Sequence, residues 1–236
     1  KITIDNKFNV KILLFNNFKK LIEDDNRLVI KKNIYQFICD FNTNLNLLAL
    51  TYSGKVINID WKRYLNCDYK LDNKLLNNIN PYEIINFHNF NGEAENYLCI
   101  LCKDGRFKKI LYDKELLKTN RTFTIIKTKK ENKLINSFIS EQNMTLIILT
   151  SIGRLFKYKL NNKYIAPVSK QAQGTILNKL FPREEIISCC TCKNNDQIIL
   201  ITKKGSFFRV KENEIYNSYN SKLGFIDEKL QIKNDV

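Results

Sequence analysis

One pattern of apolar and polar positions recurs along the chain: an apolar run, a short polar stretch, Gly, a basic or small residue, and a second apolar run. It occupies residues 47–56, 98–107, 146–155 and 198–207, with Gly54, Gly105, Gly153 and Gly205 at its centre. These glycines fall about fifty residues apart, the mark of an internal structural repeat. Each copy predicts a β-hairpin in which Gly supplies the positive φ of a primed turn, and Asp104-Gly105 is the cleanest case. A fainter copy over residues 2–10 places Asn6 where the others have glycine, and Asn tolerates positive φ better than most residues. Five copies of roughly fifty residues, each long enough for about four short strands, predict an all-β, propeller-like domain. Helical periodicity is confined to two short candidates, 81–85 and 212–217.

A second pattern lies between the hairpins. Ser169-Lys170-Gln171-Ala172-Gln173-Gly174-Thr175 follows the Gly153 hairpin, and Ser221-Lys222-Leu223-Gly224-Phe225 follows the Gly205 hairpin, so the connecting loops carry a basic, Gly-centred signature of their own.

Of 236 residues 44% are hydrophobic and 27% charged, a balance that supports a packed core and excludes disorder. Apolar runs such as Ile147-Ile148-Leu149 are too short to cross a bilayer, and no membrane partner is expected. Lys and Arg exceed Asp and Glu by 39 to 24, giving a net charge of +15, and nucleic acid becomes the leading partner class. Heavy use of Asn, Lys and Ile, the habit of AT-rich genomes, offers a plainer source for that charge. The candidate phosphate contacts at the hairpins are Lys55, Arg106, Lys108, Lys109, Arg154, Lys157, Lys159, Lys203, Lys204, Arg209 and Lys211, and those of the loops are Lys170, Lys179 and Lys222. A repeating fold would bring such cations to equivalent places, where they would meet successive phosphates and read shape instead of bases. The same cations at turns would also keep strand edges soluble.

Other chemistry is sparse. Cys99 and Cys102 stand three apart in a predicted strand, which points them to opposite faces and argues against a shared metal ion; Cys189, Cys190 and Cys192 read as ordinary thiols. The seven cysteines follow no disulfide framework and predict reduced thiols in an intracellular compartment. His88, the only histidine, has neither a nucleophile nor a ligand set about it and reads as structural. Tyr158 and Tyr164 are candidates for base stacking, although most aromatics must fill the core. No catalytic triad, paired-acid motif or phosphate-binding glycine loop occurs, so no catalytic residue and no bound cofactor are expected. The opening Lys1 leads us to expect a fragment of a longer polypeptide.

Residues 146–210 carry a family resemblance. Thr150-Ser151-Ile152-Gly153-Arg154-Leu155-Phe156-Lys157, Pro167, Ser169 through Thr175, and then Glu185-Ile186-Ile187 and Thr202-Lys203-Lys204-Gly205 resemble the C-terminal domain of the DNA gyrase A protein. The wording Gln171-Ala172-Gln173-Gly174 and Ile187-Ser188-Cys189 is similar to the cyanobacterial and plastid branch. The resemblance is specific over 140–212, moderate over 45–115 and weak in the first thirty residues. It implies a single β-pinwheel domain spanning 1–236, with about five four-stranded blades that exchange strands and a basic rim that wraps double-stranded DNA. It further implies an A2B2 assembly with the rest of the gyrase A polypeptide and with the gyrase B polypeptide, ATP and Mg bound elsewhere in that assembly, and a plastid location. The family's Gln-Arg-Arg-Gly-Gly-Lys-Gly box does not occur in this sequence: either it lies upstream of Lys1, or the wrapping grip is altered, or the chain is the related topoisomerase IV protein. A protein-interaction propeller without any nucleic-acid role is the remaining reading.

Overall fold

A computed structural model of the chain describes residues 2–5, 9–12, 35–39, 46–60, 69–70, 76, 78–90, 96–112, 122–129, 131–141, 143–202, 204–219 and 224–226. Among the described residues the regular structure is eighteen strands and two 3-10 helices, Pro81–Glu83 and Glu212–Glu214, which lie in the two predicted helical stretches. Antiparallel hairpins recur five times: β1 (Ile2–Asp5) with β2 (Asn9–Ile12), β4 (Asn46–Thr51) with β5 (Lys55–Asp60), and β8 (Tyr97–Cys102) with β9 (Arg106–Leu111). The last two are β12 (Thr145–Thr150) with β13 (Arg154–Lys159), and β16 (Gln197–Ile201) with β17 (Phe207–Lys211).

Two further strands complete a hairpin, and they come from different places in the chain. A third strand, β3 (Tyr35–Cys39), β7 (Ile84–Phe90), β11 (Leu134–Ser140) or β15 (Ile186–Cys192), pairs with the first strand of its own hairpin. A two-residue return strand, β6 (Tyr69–Lys70), β10 (Phe123–Thr124), β14 (Thr175–Ile176) or β18 (Phe225–Ile226), pairs with the second strand of the preceding hairpin. Four sheets are therefore four-stranded, while the fifth, β16 with β17, has two strands among the described residues. The chain divides into two compact units, 1–93 with 113–124, and 94–112 with 125–236. The first contains the sheets β3-β1-β2-β6 and β10-β5-β4-β7, and the second contains the other three.

The turns differ in kind from the primed turns that the glycine pattern predicts. Gly54, Gly105, Gly153 and Gly205 have φ of 80, 83, 81 and 82°, and each donates its N–H to the carbonyl three residues back at 2.9–3.0 Å. Among the described residues of these turns no other has positive φ, so those at Gly54, Gly105 and Gly153 are ordinary turns followed by one left-handed residue; a type I′ turn would need positive φ twice, which Ile152 resists. The buried hydroxyls of Thr51, Thr150 and Thr202 accept from the N–H of Lys55, Arg154 and Ser206 at 3.0–3.2 Å. Where Cys102 replaces Thr, Asp104 Oδ1 accepts from Arg106 N–H instead, at 3.0 Å. The Asn6 turn lies outside the described residues.

The apolar runs follow from burial on both faces. Leu146 and Ile148 of β12 join Tyr97, Cys99, Leu101 and Phe107 in one core, while Ile147 joins Ile198, Leu200 and Val210 in the next. Alternate residues thus serve successive sheets, and a strand read by two cores has no polar face.

Gly174, just before β14, lies with its Cα beside Phe107, and a Cβ there would sit 2.4 Å from the Phe107 carbonyl oxygen, whereas one at Gly205 would meet nothing within 4 Å. Both have positive φ. Gly205→Ala is expected to cost about 1–2 kcal/mol, the left-handed penalty alone, and Gly174→Ala distinctly more, as measured by chemical denaturation of each variant.

Candidate nucleic-acid interface

The second strand of each hairpin carries most of the cations that the sequence offers as phosphate contacts, and the structure divides them into two sets. Lys108, Lys109 and Arg154 are 1% exposed and Lys157 is 7% exposed. Lys55, Lys159, Lys179, Lys204, Arg209 and Lys211 are exposed, and Arg106 and Lys170 are half-buried. Lys203 and Lys222 lie outside the described residues. The expectation that the first four stand on an outer rim is corrected: their charged ends are enclosed and already bonded.

Two of the enclosed cations share a register. Lys109 and Lys157 are each the fourth residue after a turn glycine. Lys109 Nζ donates to the carbonyl of Leu160 at 2.5 Å, with Asn162 Oδ1 at 2.9 Å and the Ile165 carbonyl at 3.3 Å. It also stands 4.2 Å from the centroid of the Tyr97 ring. Lys157 Nζ donates to the Glu212 carbonyl at 2.9 Å and pairs with the Glu212 carboxylate at 2.6 Å. Leu160 and Glu212 are both the seventh residue after the next turn glycine, so each lysine pegs one hairpin to the exit of its successor. A buried ammonium is tolerable only when its donors are filled, and here carbonyls fill them.

Lys108 does the same for the return strand. Its Nζ donates to the carbonyls of Ile125 at 2.5 Å and Lys170 at 2.7 Å, tying the loop that leads into β14 to β9. Arg154 is held by Glu184: Nε donates to Oε1 at 2.8 Å and Nη2 donates to Oε2, forming a bidentate pair. Nη2 also donates to the Lys179 carbonyl at 3.2 Å, and the guanidinium lies over the rings of Phe181 and Phe156, at 4.1 and 4.8 Å. Burial opposes the charged form of Glu184, but hydrogen bonds from Arg154, Thr150 and the Phe181 N–H outweigh it and hold the carboxyl below its usual range.

The remaining candidates are placed as follows. Tyr158 is buried, donates to the Leu177 carbonyl at 3.0 Å and accepts from Asn178 at 2.8 Å, so it is a core residue. Tyr164 is 49% exposed and stacks on Tyr219 with centroids 4.6 Å apart, leaving it available at the surface. Burial pushes the thiols of Cys99 and Cys102 up to about 12, so both stay protonated. Among the described residues no three His, Cys, Asp or Glu side chains converge. Burial also lowers His88 to about 4, which keeps its imidazole neutral.

With this geometry in view, the chain can be set beside known proteins. No protein-family model matches the sequence, and neither does any curated protein. Among solved structures, the C-terminal domain of DNA topoisomerase IV matches with a TM-score of 0.73 and 19% identity, over 95% of this chain and 71% of that one. The C-terminal domain of DNA gyrase A matches with a TM-score of 0.65 and 15% identity, over 95% of this chain and 75% of that one. The C-terminal domain of ParC from E. coli matches with a TM-score of 0.66 and 10% identity, over 90% of this chain and 86% of that one. The class that these likenesses define is the all-β, β-pinwheel fold. At such identities it is the fold that is shared.

Two outcomes follow from the enclosed lysines. Lys109→Met strands the Leu160 carbonyl and is expected to cost on the order of 2 kcal/mol in denaturant unfolding. Lys108 supplies a pH signature, because burial, and then the charge of Lys170, lower its ammonium to about 8. An unfolded lysine titrates near about 10.4, so unfolding takes up a proton between these values and the lysine's contribution to stability rises with pH across that window. The stability of the native chain relative to Lys108→Met should therefore climb from about pH 8 to pH 10. Unfolding curves of both proteins across that range measure the difference, from which the thiols common to both cancel.

Proposed function

We propose that this chain is the C-terminal DNA-wrapping domain of the A protein of a type IIA topoisomerase, that of DNA gyrase. It binds duplex DNA through phosphates, bends it around a basic exterior and thereby supports ATP-dependent negative supercoiling by the whole enzyme. The observation that carries this reading is the cation set left outside once the enclosed four are removed: Lys55, Lys159, Lys179, Lys204, Arg209 and Lys211, with Arg106 and Lys170 half-buried beside them. It stands on a fold shared with domains of DNA topoisomerases. Lys159 and Lys211 hold the same register, the sixth residue after their turn glycines, as repeated phosphate contacts would, and contacts of this kind read shape and deformability.

On this reading the residues 1–236 act as one domain without catalytic residues of their own. Strand passage, ATP and Mg belong to the rest of the gyrase A polypeptide and to the gyrase B polypeptide in an A2B2 assembly, and the home of the enzyme is a plastid. The corresponding protein of topoisomerase IV is the second reading. It is favoured by the TM-score of 0.73 to that enzyme's C-terminal domain and by the missing Gln-Arg-Arg-Gly-Gly-Lys-Gly string.

Each phosphate contact contributes about 0.9 to the slope of log affinity against log salt. Replacing Lys159, Lys179 and Arg209 together by Ala should lower that slope by about 2 to 3 and weaken binding alike for unrelated duplexes. Lys109→Met, at a temperature where it is folded, should leave the slope unchanged. Fluorescence anisotropy over a salt series reads both. Affinity that ignores salt and the triple replacement would transfer the chain to the protein-interaction class. A duplex long enough to wrap should also bind disproportionately better than a short one, because bending costs several kcal/mol that only many contacts offset.

A further inference from the structure

Among the described residues, four that are not glycine have positive φ: Asn78, Asn143, Arg183 and Asn195, at 65, 68, 65 and 66°. Three of them are asparagines, whose short polar side chain tolerates the left-handed region, and the fourth is an arginine. Arg183 is the third residue of the turn Phe181-Pro182-Arg183-Glu184, closed by the Glu184 N–H donating to the Phe181 carbonyl at 3.0 Å. Proline second and a left-handed residue third is the arrangement of a type II turn, and its third place calls for Gly or Asn. A residue held in such a conformation against its own preference points to a use for its side chain.

The loop around Arg183 sorts its charges. Arg154 lies buried beneath it: Nη2 donates to the Lys179 carbonyl at 3.2 Å, and the guanidinium stands 4.1 Å from the centroid of the Phe181 ring. The same guanidinium forms its bidentate pair with Glu184, whose Oε2 also accepts from the Phe181 N–H at 2.7 Å. Residues 179–184 are thus folded over one cation, with their single acid turned inward and neutralised. Glu185, the next residue, pairs with Lys103. Facing outward are Lys179, Phe181, Pro182 and Arg183, all exposed, and among the described residues the Arg183 side chain has no partner.

We propose, resting on the DNA-wrapping reading, that Arg183 is a contact to the phosphates of duplex DNA, presented together with Lys179 on a loop that Arg154 organises from below. A planar guanidinium matches phosphate oxygens with paired donors. Pro182 and the buried ion pair fix the backbone beforehand, so binding has little but the side chains left to order. Arg154 is then a positioning residue, which serves the contact by withdrawing the charge of Glu184 and shaping the loop.

Arg183→Gly separates the two demands on this position. Glycine suits the left-handed turn and carries no charge, so this variant of the 236-residue chain should unfold at a higher denaturant concentration than the native protein. It should nevertheless bind duplex DNA several-fold more weakly at about 0.1 M salt, with the slope of log affinity against log salt reduced by about 0.9. Arg183→Asn should lose the same slope, Arg183→Lys should keep it, and Arg183→Gly combined with Lys179→Ala should lower it by about 1.8. Denaturant unfolding and fluorescence anisotropy over a salt series, with duplexes of unrelated sequence, read these outcomes. A residue that only shaped the turn would leave the slope untouched. Native salt dependence in Arg183→Gly and Arg183→Asn would therefore overturn the proposal and leave the DNA-wrapping reading standing. A native chain whose affinity for duplexes ignores salt would remove both.

Discussion

A strand that presents apolar residues on both faces needs a neighbour on each side, and β8 and β12 are strands of this kind. Leu146 and Ile148 look one way and Ile147 the other, so neither core is complete without the next hairpin. Stability therefore belongs to adjacent pairs more than to single sheets, as in other repeat architectures. The short return strands serve the same end. β14 is only two residues long, yet its pairing with Phe107 and Arg106 fastens each repeat to the one before it through the backbone.

The enclosed lysines extend that fastening with charge. An ammonium could be replaced by an apolar side chain of similar length with little loss, provided that the carbonyls it serves were also removed. They are not, because Leu160 and Glu212 stand at hairpin exits where the chain leaves its sheet: the Leu160 carbonyl accepts from Lys109, and the Glu212 carbonyl accepts from Lys157 as well as from the Ile215 N–H. Lysine at this register demands the correct successor, and a shift by one residue would leave the ammonium without these acceptors. Part of the chain's strongly basic composition is thus spent on assembly. The cations exposed for contact with phosphates are accordingly fewer than the composition suggests, and they are partly different residues.

The turns were the most legible part of the fold. Gly54, Gly105, Gly153 and Gly205 announce themselves because only a residue without a Cβ sits easily at φ near 80°. The return strands were not legible as strands: Thr175-Ile176 and Phe225-Ile226 are too short to show an alternation, although the glycine just before each, Gly174 and Gly224, was visible as a pattern. For the candidate interface the outcome was mixed. Lys159, Lys179, Lys204, Arg209 and Lys211 are exposed as expected, but nothing in one repeat reveals that the next repeat covers Lys109 or Lys157. The register alone could not have shown it, since Arg209 also follows its glycine by four residues and is exposed. Glu184, the partner of Arg154, went unnoticed because it lies thirty residues away in a loop.

The return strand puts the unit of sequence out of phase with the unit of space. One repeat of the gene supplies a hairpin and its third strand to one sheet and a return strand to the sheet before, so no sheet is encoded by a contiguous stretch. Duplication or loss of a whole repeat leaves every internal sheet chemically intact, because each donor remains next to its acceptor. Only a terminal sheet registers the change, by holding an edge without a mate. A lineage that varies its repeat number would accordingly vary its terminal surfaces first, and new attachments would evolve at the ends of the array while its interior stayed fixed.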